Sequence, residues 1–436
     1  MEIGKHLRTG LWGLADKLLA VAYGLGYVWL VIRVLPEEEF GNFVLVQEIF
    51  LVVSGLATAF ALQPLLKFSA EENADLQGVV SASLWLNAGF VATASLLVVA
   101  LSGPAGALLN SPALAPLLLY VPAMLAASFG RNFTMTLLQA KFRIREVFWM
   151  DAVHFLGAPF LVWVVSRLHE FDTALDLVII NLASLGGSSL VGLWYTRRMV
   201  RITLRPPRPA MRRVWDYGKY TLGGIISSQF STRADSFILA AFTGPVQVAV
   251  YNSAKVFVRL YEMAAQVAQM FVLPAASRLS SQGDAASLKA LTEKAILFLT
   301  VGLLPVTLLF LVFPGLLITV LYGGRYAEAV PVIRVFSLLT FIVPLAAVGA
   351  NVIMGLGHAR VSFILGVKTL AVSFAAFLIC IPPGGVPGAA TGYIAAAAVS
   401  AVLTGQALTR FVPITMMEIA RRVADIREFL KSRLTS

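Results

Sequence analysis

Tyr251, Lys255, Arg259, Glu262, Gln266 and Gln269 lie in an otherwise apolar segment at spacings of four, four, three, four and three residues. At about 100° per residue, an α-helix gathers them into an arc of roughly 80°. From 251 to 269 the stripe covers 18 residue steps. That is about 27 Å at 1.5 Å per residue, close to the thickness of a bilayer's hydrocarbon core. Such a stripe cannot face acyl chains. Either it lines an aqueous cavity or it forms a polar seam between helices, and two cations with one carboxylate match a dry, neutralised seam poorly.

Other ionisable groups interrupt apolar runs in the same way, and each costs at least a few kcal/mol where it would meet lipid. Gln229, Arg233 and Ser236 share one face of the preceding segment, with Asp235 on a neighbouring face. Asp16 and Lys17 sit in the first apolar run, and Glu48, with Gln47, Ser54 and Thr58, in the second. Arg131, Arg334 and Lys368 lie closer to run ends, within snorkelling reach of water. Seven in-span cations (Lys17, Arg131, Arg233, Lys255, Arg259, Arg334 and Lys368) thus outnumber the four carboxylates Asp16, Glu48, Asp235 and Glu262; Asp151 and His154 stand at a run boundary. A hollow with that balance attracts anions, and arginine holds phosphate or carboxylate bidentately. The cations, with Gln229, Tyr251 and Gln266, are the candidate binding residues. The four carboxylates either exchange protons or sodium or neutralise nearby cations.

These groups must be held by helices in lipid. The chain is 58% hydrophobic and 13% charged, with a mean hydropathy of +0.82, whereas a soluble domain averages about 25% charged. Apolar runs of about 20 residues, the length of a membrane-crossing helix, recur from end to end. In lipid the backbone must satisfy its own polar groups. An all-α, polytopic architecture follows, with spans expected near 11–34, 41–66, 77–101, 112–138, 148–167 and 174–196, then 217–242, 249–275, 290–315, 328–353, 360–381 and 386–411. The first run is too long for a secretory signal and lacks a small-residue cleavage site, so it is expected to remain as a span. The single cysteine, Cys380, reads as a small buried hydrophobe.

With the N-terminus placed in the cytoplasm, 24 of the 34 Lys and Arg fall on inside segments, three (Arg33, Arg167, Arg325) outside and seven within spans. Cytoplasmic loops retain basic residues, so twelve spans with both termini inside is the consistent count. The net charge of +11 is then an orientation signal plus attraction to anionic headgroups, and it needs no nucleic acid.

The two halves echo each other. Pro36, Phe40-Gly41-Asn42-Phe43, Pro64 and Ser69 are followed, at offsets of 208 to 211 residues, by Pro245, Val248-Ala249-Val250-Tyr251, Pro274 and Ser280. The first and seventh spans both start inside, which makes this a parallel repeat. The expected organisation is a six-helix bundle over 1–200, a basic cytoplasmic linker over 201–216 containing Pro206, Pro207 and Pro209, and a second six-helix bundle over 217–412. A central cavity separates the bundles. Over 413–436, Thr415 and Glu418 form a capping box, and Met416, Ile419, Val423, Ile426, Leu430 and Leu434 recur at helical spacing opposite basic residues. That pattern predicts an amphipathic tail helix on the cytoplasmic surface.

No Walker A loop is present, the four His show no metal-ligand spacing, and no serine nucleophile motif appears. Asp16, Asp235 and Glu262 as carboxylates of a membrane glycosyltransferase would call for extended polar loops, which the chain lacks. Neither an enzyme nor a bound cofactor or metal is expected.

Val34-Leu35-Pro36-Glu37-Glu38-Glu39-Phe40-Gly41-Asn42-Phe43 resembles the polysaccharide flippase family, within the multidrug/oligosaccharidyl-lipid/polysaccharide exporter superfamily. So do Arg233-Ala234-Asp235, Val248 to Ala254, Leu273-Pro274-Ala275-Ala276-Ser277-Arg278-Leu279, Val320 to Tyr326, and Asn351 to Gly357. The resemblance implies two six-helix bundles working by alternating access in the bacterial inner membrane, with a cationic lumen for the diphosphate of an undecaprenyl-linked oligosaccharide. Arg233, Lys255 and Arg259 become headgroup ligands on that reading, with Lys17 opposite. It further implies a monomer in contact with membrane lipid, working beside a polysaccharide polymerase or glycosyltransferases. Lipid II flippases of the superfamily carry extra C-terminal spans, which are missing here. An ion-coupled drug antiporter of the same fold would need an acidic lumen, against the excess of cations.

Overall fold

A computed structural model describes residues 2–422 apart from 70, 72–74, 169, 170, 172, 200 and 201. All regular structure among the described residues is helical. Twelve long helices follow the expected spans: α1 (Glu2–Val34), α2 (Glu37–Ala57, continuing to Phe68), α3 (Leu76–Ala100), α4 (Val121–Ala140), α5 (Ile144–Leu168), α6 (Ala174–Thr196), α7 (Arg208–Thr243), α8 (Pro245–Lys255, continuing to Ser281), α9 (Ala285–Val312), α10 (Leu339–Gly355), α11 (359–384) and α12 (386–409). A short α13 (Met416–Arg421) follows.

Among the described residues, nine helices are long and apolar enough to cross a membrane, and ten when a bent pair ending in α10 counts as one span. The remaining two have simple origins. The continuous helix Ala359–Thr409 is two spans joined at Gly385, whose φ of 52° and ψ of −128° break the helical path. The other is α7, whose in-span polar residues keep it off the apolar count. Cys380 is half-buried.

By packing, the chain divides into Met1–Ala249 and Val250–Ser436. The seventh span, α7, lies within the first of these units. Local chemistry on α2 accounts for this. Pro64 brings no N–H to close the helix ladder, and the preceding turn, Thr58–Leu62, widens to π-helix. The carbonyl of Ala59 accepts instead from the Thr221 hydroxyl of α7 at 2.7 Å. Close by, Gly218 lets the α7 backbone approach the Phe60 carbonyl, where a Cβ would stand 2.0 Å from the oxygen. At the far end of the seam, Gly41 lies so near Pro245 that a Cβ would be 1.9 Å from its carbonyl oxygen.

The Pro36–Phe43 motif is packing chemistry of the same unit. Glu39 accepts from the Ala174 N–H at the start of α6 at 2.7 Å. Asn42, fully buried, accepts from the Ser111 hydroxyl at 2.6 Å. The linker is also fastened to this unit. Thr203 donates its N–H to Ser81 at 2.9 Å, and its hydroxyl and carbonyl accept from Gln77 and Trp85 of α3 at 3.1 and 3.2 Å.

In the second unit, Ala268, Val272 and Ala276 of α8 pack with Leu288 and Ile296 of α9, Val348 and Val352 of α10, and Leu408. Ile414 and Ile419 join this core. The capping box forms as expected: Thr415 accepts from the Glu418 N–H at 3.3 Å, and Glu418 accepts from the Thr415 N–H at 3.1 Å. Glu418 also pairs with Lys289 at 2.6 Å, and Arg422 with the buried Glu293 at 2.8 Å. The start of the tail is thereby fixed to α9. The rest of the expected amphipathic helix lies outside the described residues.

Candidate functional site

Within the second unit, α8 carries the candidate stripe. The helix tightens into one 3₁₀ turn at Val256–Val258, so the regular α-spacing is interrupted between Lys255 and Arg259. A 3₁₀ turn inside a helix is a frequent mark of a functional hinge. Arg259, Glu262, Gln266 and Gln269 are exposed on one face, while Tyr261, Ala268, Val272 and Ala276 bury the other in the unit's core. The stripe therefore points away from its own unit. Lys255 is half-buried, its ammonium 5.7 Å from the centre of the Tyr251 ring. Tyr251 departs from expectation: it is fully buried, edge-on to Phe336 at 6.0 Å, and packs the core. Its aromatic bulk and position at the start of the helix place it among apolar neighbours, where the polar spacing alone put it on the stripe. Arg334 and Lys368, in the same unit, are exposed.

The first unit treats its charges differently. Arg233 on α7 meets Glu48 on α2, Nε to Oε2 at 2.6 Å, both about one-sixth exposed. Gln229, one turn earlier on α7, rests against Gly55, where a Cβ would stand 2.2 Å from its amide nitrogen. Arg131 on α4 is paired with Asp151 on α5. Asp16 on α1 is half-buried. Asn132, next to Arg131, donates to Ser54 on α2 at 3.1 Å. His154 shares a hydrogen bond with Ser184 at 2.9 Å. Asp235 is fully buried, with its carboxylate on the Ser236 N–H at 2.8 Å. Lys17 is exposed on α1.

Two candidate binding cations, Arg131 and Arg233, are thus held in ion pairs, as is the coupling candidate Glu48. A cation buried beside a carboxylate spends its charge locally, because low dielectric makes the near partner dominate. Asp151 is the ion-pair partner that spacing alone missed. It lies nine residues after the α4–α5 turn at Phe142 and Arg131 eleven before it, so an antiparallel hairpin brings them to similar depth. The outcome is an asymmetry of charge. The first unit sets Lys17, Arg131 and Arg233 against Asp16, Glu48, Asp151 and Asp235; the second sets Lys255, Arg259, Arg334 and Lys368 against Glu262. Among these candidate residues the second unit carries four cations to one carboxylate. Among the described residues no three His, Cys, Asp or Glu side chains gather as a metal site.

Solved structures share this architecture. The lipid II flippase MurJ in an inward closed conformation superposes with a TM-score of 0.75 at 13% identity, over 94% of this chain and 88% of that one. An inward-facing multidrug resistance MATE transporter of the MOP superfamily gives 0.70 at 17% identity, over 93% and 95%. A MOP superfamily transporter from Pyrococcus furiosus, described as having a binding pocket of reversed polarity, gives 0.62 at 14% identity, over 95% and 94%. The fold is the twelve-helix fold of membrane flippases and transporters. Residues 30–331 match the polysaccharide biosynthesis protein family, and the chain belongs to that family. An uncharacterised membrane protein of Methanocaldococcus jannaschii is 27% identical over 184 residues, 42% of this chain. The match spans 36% of that relative's length.

Proposed function

We propose that the protein moves an anionic undecaprenyl-diphosphate-linked oligosaccharide, a polysaccharide repeat unit, from the cytoplasmic to the outer leaflet of the bacterial inner membrane by alternating access. Both termini lie in the cytoplasm, two six-helix halves are joined by the basic linker 201–216, and the protein acts as a monomer beside a polymerase or glycosyltransferases. The observation that carries this reading is the α8 face, where Arg259 stands exposed with Glu262, Gln266 and Gln269 and turns away from the packed core. Lys255, Arg259, Arg334 and Lys368 supply the diphosphate ligands, and the glutamines supply donors and acceptors for sugar hydroxyls. Arg131 and Arg233 act at one remove, by fixing the helices around them.

Asp16, Glu48, Asp235 and Glu262 are the candidates to exchange a coupling proton. Equal transport with and without a proton gradient would exclude that role.

The carboxylates of the first unit favour one second reading, an ion-coupled drug antiporter. Reconstitution in liposomes separates the two. On the leading reading a fluorescent lipid-diphosphate sugar is transported and Arg259→Ala reduces its rate at least tenfold. Transport of a cationic dye instead, or flipping indifferent to Arg259→Ala, rejects it.

A further inference from the structure

The turn between α4 and α5 is built against local preference. Arg143 N–H bonds to the Leu138 carbonyl at 2.9 Å and Phe142 N–H to the Gln139 carbonyl at 3.0 Å. This is the Schellman pattern, which needs a left-handed residue at the position after the helix cap, usually glycine. Here that residue is Phe142, with φ at 55°. A bulky side chain in this conformation is a genuine outlier. Its ring is 79% exposed, so nothing within the unit repays the strain.

Its surroundings say what does. Arg143 is occupied by Glu146 at 2.6 Å and Met199 at 3.2 Å. Lys141, Arg145, Arg197 and Arg198 are exposed at the same end of the unit. The Arg145 guanidinium lies 5.9 Å over the Trp12 ring and that of Arg197 5.4 Å over Trp194. Trp149 and Trp194 are themselves 44% and 56% exposed. Aromatic rings that seek the headgroup level, interleaved with cations that seek phosphate, match one partner by both criteria.

We infer that this end of the first unit is a docking site for anionic phospholipid, with Phe142 inserted as a wedge into the headgroup layer and Lys141, Arg145, Arg197 and Arg198 around the phosphates. The site is independent of the transported substrate, since none of these residues belongs to the α8 face.

The test uses the full chain in neutral detergent, with phosphatidylcholine or phosphatidylglycerol added, and reads the thermal unfolding midpoint. Wild type gains more from phosphatidylglycerol than from phosphatidylcholine. Phe142→Gly removes both the strain and the wedge, so its midpoint in detergent rises while its gain from phosphatidylglycerol falls by at least half. The pair Lys141→Gln with Arg145→Gln leaves the detergent midpoint unchanged and halves the same gain. Equal gains from the two lipids in wild type, as for a surface meant for a soluble partner, overturn the inference. So does a Phe142→Gly variant that unfolds earlier in detergent, or one that keeps the full gain.

Discussion

Arg131 and Arg259 are the same residue type in the same kind of apolar helix, and their neighbours give them opposite work. Arg131 has lost most of its water and is matched by Asp151; Arg259 is exposed and begins the α segment after the 3₁₀ turn. Removing one member of a buried pair strands the other, at a cost of about 3–5 kcal/mol. Asp151→Asn and Glu48→Gln should therefore lower the thermal midpoint in detergent markedly. Arg259→Ala should leave stability within about 0.5 kcal/mol, as exposed substitutions do, and act on transport alone. Comparable midpoints across the three variants would contradict this division. The sequence displayed which groups were ionisable and in-span, and the surplus of cations. It did not display which cations were already matched. For Arg131 the symmetry about the α4–α5 turn held the information. For Arg233 and Glu48, 185 positions apart, only the packing of α7 on α2 reveals the pair.

Helix α7 is polar for its environment because α2 answers its polar groups one by one. Thr221 takes the carbonyl that Pro64 leaves open, Arg233 takes Glu48, and glycines at 55 and 218 allow the close approach, while Gly41 admits the Pro245 carbonyl. Gly41→Ala forces a Cβ into a backbone carbonyl, which cannot rotate aside. Overpacking of this kind typically costs about 1–3 kcal/mol, read as an earlier thermal midpoint; Gly89→Ala, with open space around it, should be silent. The motif at Pro36–Phe43 was legible as a family signature, but its use, bracing α2 against α6 and the start of α8, depends on partners more than 60 residues away.

The tail offers a pH-dependent element. Its hydrogen bond with Lys289, and then that with Thr415, holds the Glu418 carboxyl below its ordinary value of 4.5. A depressed folded pKa means that the contact stabilises docking above the ordinary value and loses that contribution as pH falls through the depressed one. A fluorophore on the tail should therefore gain mobility as the solution is acidified below the ordinary carboxylate range, and Glu418→Gln should flatten that dependence. Mobility that rises equally in wild type and variant would show that other contacts hold the tail.

At the level of the whole molecule, lipid as solvent determines most of what could be read in advance. Helical hydrogen bonding is compulsory in hydrocarbon, so twelve spans and their order follow from apolar length and basic loops. Where packing divides the chain does not follow. Pattern and repeat point to the proline-rich linker, whose Thr203 is fastened to α3, while contacts group the chain as Met1–Ala249 and Val250–Ser436. Short polar contacts such as that of Thr203 leave little trace in hydropathy.

Water and positive potential along α8 are the foundation of the functional account, and thiol chemistry reads both. In a Cys380→Ser background, Gln266→Cys and Gln269→Cys should react in vesicles with a membrane-impermeant anionic thiol reagent severalfold faster than with a cationic one of the same size. Lipid-diphosphate sugar should slow that reaction, and Ala268→Cys and Val272→Cys, on the buried face, should stay unreactive. Stripe positions no more reactive than 268 and 272, or a preference for the cationic reagent, would contradict the account.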